Sequence, residues 1–125
     1  MLQSANDAAA ALAYRIAGSI DSFAALMNKK AEELGLRDTN FTNPHGLDDK
    51  NHYTTASDLA VIAAEALSNE NFKEISSTYK REVTSTFTKR TLVNHNKMLR
   101  LYDGCIGLKT GYTQKSGRCL VSAAE

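Results

Sequence analysis

At 125 residues the chain is one small domain's worth of polypeptide, long enough to bury about two-thirds of its unfolded surface around a single core. Fifteen Lys and Arg against 14 Asp and Glu leave a net charge of +1, which excludes the strong basic footprint of a nucleic-acid binder and the polybasic face of a membrane-surface protein. No run of about 18 apolar residues and no basic, apolar, small-residue leader pattern is present. Any export signal or anchor is therefore expected outside this chain.

The first two-thirds read as helical, and the helices carry their own punctuation. From Asp7 to Ala17 the run is Ala-rich, with Leu12 and Ile16 on one face and Gly18 as the stop. From Asp21 to Leu34 the apolar set Phe23, Leu26, Met27, Ala31 and Leu34 keeps three-to-four spacing, and Gly35 terminates it. Residues 36 to 53 hold Asn43-Pro44-His45-Gly46 and the polar turn Asp48-Asp49-Lys50-Asn51, the composition of an ordered crossing loop. Thr55 and Asp58 have capping-box spacing and open a third helix running through Leu59, Ile62, Ala63, Ala66 and Leu67. A short helix from Glu70 to Ser76 follows.

Beyond Tyr79 the period changes to two. Val83, Ser85 and Phe87 alternate with Glu82, Thr84 and Thr86, so strands are expected there and near Leu92-Val93. The last feature is a hairpin with Cys105 to Gly111 and Arg118 to Ala124 as arms, the intervening residues 112–117 as loop, and Gly111 facing Arg118. That register places Cys119 opposite Thr110, with Cys105 about five residues away along the strand, roughly 16 Å, beyond the ~7 Å reach of a disulfide. The two cysteines also lack CxxC or Cys/His spacing and read as small half-buried hydrophobes. The chain is read as one domain over 1–125, mainly helical over 1–77 and mainly strand over 78–125.

Three short features could carry chemistry: Ser4-Ala5-Asn6 before the first helix, Lys109-Thr110-Gly111 at a strand end, and the Asn43-Pro44-His45-Gly46 loop. Each has an ordinary alternative. Ser4 and Asp7 have the spacing of a helix cap, Lys-Thr-Gly suits any strand entering a glycine turn, and His45 suits a turn. His45, His52 and His95 lack metal-site spacing, so no metal and no cofactor is assigned.

Taken together, these features resemble the low-molecular-mass serine D-alanyl-D-alanine carboxypeptidases among the penicillin-recognising enzymes. The Ser-x-Asn loop followed about a hundred residues later by Lys-Thr-Gly, with the blocks "SANDAAAALA", "FAALMNKKAEELGLRDTNF", "NPHGLDDKNHYTTASDLAVIA" and "GLKTGYTQKSGRCLVSAA" in order, carries the resemblance through essentially the whole chain. Class A β-lactamases typically have Ser-Asp-Asn where this chain has Ser-Ala-Asn. The resemblance implies an α+β architecture: part of the serine β-lactamase and penicillin-binding-protein fold, a helical subdomain plus a β-hairpin of an antiparallel sheet.

It also implies roles. A serine in a Ser-x-x-Lys motif would attack the D-Ala-D-Ala peptide bond of a peptidoglycan stem peptide, with a lysine one helical turn away as base. In the family that motif precedes Ser-x-Asn, so the nucleophile segment is expected to be missing from this chain, which alone would be inactive. Ser77-Thr78-Tyr79-Lys80 spells the same motif but lies downstream, at a helix-to-strand junction, and is read as a decoy. Ser4 would relay a proton and bond to Lys109; Asn6 would hold the substrate amide or carbonyl; Thr110 would meet the terminal carboxylate; Gly111 would let backbone approach the ligand. His95 stands where some members carry an arginine, and because an imidazole changes charge near neutrality, carboxylate binding is expected to depend on pH between about 5.5 and 8. β-Lactams are expected partners of the complete enzyme, an envelope location outside the cytoplasm is implied, and an exposed sheet edge suggests a homodimer. A non-catalytic module that binds D-Ala-terminated peptide, and a structural domain with coincidental motifs, remain as alternatives.

Overall fold

The computed structural model describes residues 1–125. The chain forms two compact units, one of residues Ala5–Ala64 with Thr113–Gly117, the other of Met1–Ser4, Glu65–Tyr112 and Arg118–Glu125. No helix is long and apolar enough to cross a membrane.

The helical unit holds α1 (Asn6–Ala17), α2 (Ile20–Glu33) and the first part of α3 (Ala56–Leu67). Gly18, at φ 78°, closes α1 by donating its N–H to the Tyr14 carbonyl at 2.9 Å, a left-handed turn that glycine adopts without a Cβ clash. Ser19 then caps α2, its Oγ accepting from the Ser22 N–H at 3.0 Å. The α1 apolar face differs from expectation: Leu12 and Ile16 are exposed, and Ala13 is the buried residue. Ala13, Ala24 and Ala31 are all buried; such small side chains allow α1 and α2 to approach closely.

Asparagine side chains hold the crossing loop, and Leu36 is buried at its start. Asn28 clamps Phe41 twice, donating to its carbonyl at 2.8 Å and accepting from its N–H at 2.7 Å. Asn43 accepts from the N–H groups of His45 and Gly46 and donates to the Leu47 carbonyl, so His45 is a turn residue. Thr55 Oγ1 accepts from the Asp58 N–H at 3.1 Å. The Asp58 carboxylate does not complete a capping box; it accepts from Asp38 N–H and Thr39 Oγ1.

The second unit carries the end of α3, then α4 (Glu70–Ser77), β1 (Lys80–Thr84), β2 (Lys89–Val93), α5 (Met98–Leu101), β3 (Cys105–Thr113) and β4 (Gly117–Ala124), the turn linking β3 to β4 belonging to the helical unit. β1 and β2 pair antiparallel from Lys80↔Val93 to Thr84↔Lys89. The first strand therefore stops before Phe87, which sits in the turn and is 93% exposed; Ser85 accepts from Phe87 and Thr88 N–H and closes that turn. The one-turn helix α5 was not foreseen, because four residues are too few to show a helical period.

β3 and β4 form a separate two-stranded sheet, joined through residues 114–116. A Cβ built on Gly111 would lie 3.7 Å from the Cβ of Cys119, so Gly111 faces Cys119 and not Arg118. The expected register was one residue off because the arms extend to Thr113 and Gly117 and the turn is shorter. Neither Cys105 nor Cys119 is in a disulfide. At the other end of β3, Gly107 (φ 121°) passes so close to Ser76 that a Cβ would fall 2.9 Å from its Cβ, Oγ and carbonyl oxygen. Leu108 is 4% exposed, and the fully buried side chains here are Ser76 and Asn96.

Candidate active-site cleft

Every element of the cleft belongs to the second unit. Residues Met1–Ser4 form a turn, with Ser4 N–H donating to the Met1 carbonyl at 3.0 Å. Buried Leu2 anchors it, its carbonyl accepting from His95 N–H at 3.3 Å, and Gln3 Nε2 donates to the Val93 carbonyl at 2.8 Å. The end of β2 and the loop after it thus hold the serine's segment through two successive residues, Leu2 and Gln3.

Ser4 does not cap α1. The N-cap residue is Ala5, with no side-chain cap bond, and Ser4 has φ 50°, the one non-glycine residue in the left-handed region. A serine there costs roughly 1 kcal/mol or more of backbone strain. That conformation accompanies a hydroxyl turned to β3, where Ser4 Oγ accepts a hydrogen bond from Lys109 Nζ at 2.7 Å. Lys109 also donates to the Thr110 carbonyl oxygen, which leaves one of its three N–H bonds free for a ligand. Burial holds the Lys109 amine below the ordinary lysine pKa, since removing water penalises the charged form.

Beside this pair lies a hollow of about 620 Å³ whose walls include Ser4, His95, Thr110, Gly111, Arg118 and Cys119. Gln3 and Lys97 also reach it, and no acidic residue lines it. The charged side chains lining the cleft, Lys97 and Arg118, are both cations, an environment suited to a carboxylate ligand. Side-chain hydrogen bonds from both flanks hold the loop carrying His95. Asn94 Nδ2 donates to the carbonyls of Ser76 and Thr78, its Oδ1 accepts from Asn96 N–H at 2.9 Å, and Asn96 Nδ2 reaches Ser122 Oγ at 3.0 Å. Two buried amides thus bracket an exposed imidazole.

Of the residues singled out from sequence, Ser4 and Lys109 are hydrogen-bonded, and His95, Thr110 and Gly111 share the adjoining hollow. Asn6 is the first residue of α1, exposed, and belongs to the helical unit. Ser77 closes α4 with its hydroxyl donating to the Glu74 carbonyl, while Lys80 opens β1. Gln3, Lys97 and Arg118 were not foreseen. Gln3 could have been suspected as the neighbour of Ser-x-Asn, but Arg118 depended on the hairpin register, which the sequence leaves ambiguous by one residue.

Residues 1–125 match the D-alanyl-D-alanine carboxypeptidase family over their whole length. The chain is 42% identical over 125 residues to the D-alanyl-D-alanine carboxypeptidase DacF of Bacillus subtilis (strain 168), covering 99% of this chain and 32% of that protein. It therefore spans about a third of the length of that relative. A mutant of a Streptomyces DD-transpeptidase superposes with a TM-score of 0.93 at 36% identity, covering 100% of this chain and 53% of the other. A penicillin-binding protein from Listeria monocytogenes in its cefotaxime-bound form gives 0.87 at 33% identity, over 100% of this chain and 50% of the other. With the family matched from end to end and the α+β fold shared with penicillin-binding proteins, this chain belongs to the D-alanyl-D-alanine carboxypeptidase family.

Proposed function

We propose that this chain supplies the leaving-group and carboxylate side of the catalytic cleft of a serine D-Ala-D-Ala carboxypeptidase acting on peptidoglycan stem peptides outside the cytoplasm. The observation that carries the reading is the 2.7 Å bond from Lys109 Nζ to Ser4 Oγ. A hydroxyl that accepts from an ammonium keeps its own proton free to donate, which suits Ser4 to hand a proton to the departing amine. Lys109 stabilises negative charge at that point. Thr110 and His95 receive the terminal carboxylate, Gly111 leaves room for the peptide backbone along β3, and Asn6 holds the substrate amide or carbonyl.

The reaction needs a nucleophile from a Ser-x-x-Lys segment, which this reading assigns to chain preceding Ser4 in the family order. Its serine gives its proton to the lysine of the same motif as the serine oxygen bonds to the carbonyl carbon of the penultimate D-alanine. The C–N bond breaks, the nitrogen of terminal D-alanine takes a proton through Ser4, and water then hydrolyses the ester. β-Lactams would acylate the same serine.

Labelled penicillin tests this. The chain of 125 residues is expected to form no covalent adduct, and a longer chain with the Ser-x-x-Lys helix is expected to acylate. In that longer chain Ser4→Ala or Lys109→Ala should slow acylation by about a hundredfold or more. An adduct at Ser77 in the short chain would overturn the reading. Saturable peptide binding with no acylation in the longer chain would favour the non-catalytic module instead.

A further inference from the structure

A second hollow of about 340 Å³ opens in the same unit, walled by Tyr79, Val93, Asn94, His95, Lys97 and Arg100. It shares His95 and Lys97 with the larger hollow, so the two adjoin across the loop that the buried asparagines hold. Asn94 is wall only, since its amide is committed to the Ser76 and Thr78 carbonyls and to Asn96 N–H. The Arg100 guanidinium lies 5.3 Å from the centre of the Tyr79 ring, a contact that orients it.

None of the wall residues is acidic, and His95, Lys97 and Arg100 have no carboxylate partner; the chain's ion pairs lie elsewhere, such as Lys73 with Glu125 and Lys89 with Glu82. Two cations, Lys97 and Arg100, face one concave space beside an imidazole, and an anion there relieves their mutual repulsion. The planar fork of an arginine matches a carboxylate by two parallel hydrogen bonds. The volume is that of a small-molecule subsite and far below that of a polymer groove.

We infer that this second hollow is a carboxylate subsite, reached from the main cleft past His95. Its ligand is either the terminal amino acid once released or a second carboxylate on the peptide, an assignment that rests on the function proposed above. The subsite itself rests only on the charge arrangement.

The test is an NMR titration of the isotopically labelled chain with sodium acetate, matched against sodium chloride. Saturable shifts of the His95 and Lys97 amides and of the Arg100 side-chain N–H are expected with acetate alone. Arg100→Gln should weaken acetate binding by about threefold or more, with an unchanged amide spectrum away from the hollow. Equal shifts with chloride, or unchanged acetate affinity in Arg100→Gln, would overturn the subsite. D-alanine reproducing the acetate shifts assigns the released amino acid, and shifts seen only with a stem peptide bearing a free second carboxylate, and not with its amide, assign the peptide. Shifts with neither overturn the ligand class. Acetate binding without penicillin acylation in the longer chain would remove the enzymatic reading and leave the subsite; acylation without acetate binding would remove the subsite alone.

Discussion

At Ser4 and Lys109 the physical chemistry of the cleft reduces to two unfavourable choices that support each other: a serine in left-handed backbone and an amine drawn partly out of water. The folded state binds the Lys109 proton less tightly than the unfolded chain does. Stability therefore rises as pH climbs through the interval between the depressed pKa and the ordinary lysine value of 10.5, and below that interval the cost is fully present. With 13C-methylated lysines, the Lys109 resonance is expected to titrate below the other lysines, and Ser4→Ala should not raise it to the ordinary value, because burial is the cause. Gly111 gives a second expectation. A Cβ there would meet only Cys119 at ordinary van der Waals distance, so packing does not demand glycine. Gly111→Ala is expected to leave urea stability within about 0.5 kcal/mol while sharply slowing penicillin acylation in the longer chain, because the methyl enters the hollow.

Among the elements, β3 is placed by α4 rather than by its own sheet partner alone. Gly107 lets the strand run against Ser76, whose Oγ donates to the Lys73 and Ile106 carbonyls. Gly107→Ala would force a Cβ into backbone as well as side chain, at a φ of 121° that L-residues rarely adopt. It is expected to cost about 2–4 kcal/mol in urea denaturation, in contrast to Gly111→Ala two turns of the pleat away. Helix stops and caps were legible because they are local: Gly18 closes α1, and Thr55 accepts from the Asp58 N–H at the start of α3. The strand ends were less so. Ser85 to Thr88 has the Thr-rich composition of a strand, yet the Ser85 side chain satisfies the backbone as a turn, a competition that composition does not decide.

For the whole molecule, a net charge of +1 conceals a segregation: His95, Lys97 and Arg118 line one hollow with no acid among its walls, and Arg100 a second. A similar contrast holds for apolar surface. The buried hydrophobic residues include three alanines, while Leu12, Ile16 and Leu101 are each more than 60% exposed. Leu12 and Ile16 stand one helical turn apart on α1 and form a continuous apolar stripe. Sedimentation velocity on this chain is expected to show association that grows with concentration, reduced by Leu12→Lys with Ile16→Lys. Association unaffected by that pair and lost on charging the β3 edge would return the interface to the sheet.

What the sequence determined by itself was local or pairwise in order: helix periods, caps, glycine stops, and a Ser-x-Asn and a Lys-Thr-Gly whose order and surrounding blocks mark the family. Those depend on dihedral preferences and on motifs read along one dimension. Only the tertiary structure decided that Ser4 leaves α1 without a side-chain cap, that Gly111 faces Cys119, and that the basic residues of separate segments ring shared hollows. Each of those depends on long-range contacts, where burial and hydrogen-bond satisfaction across many residues outweigh the preference of any single stretch.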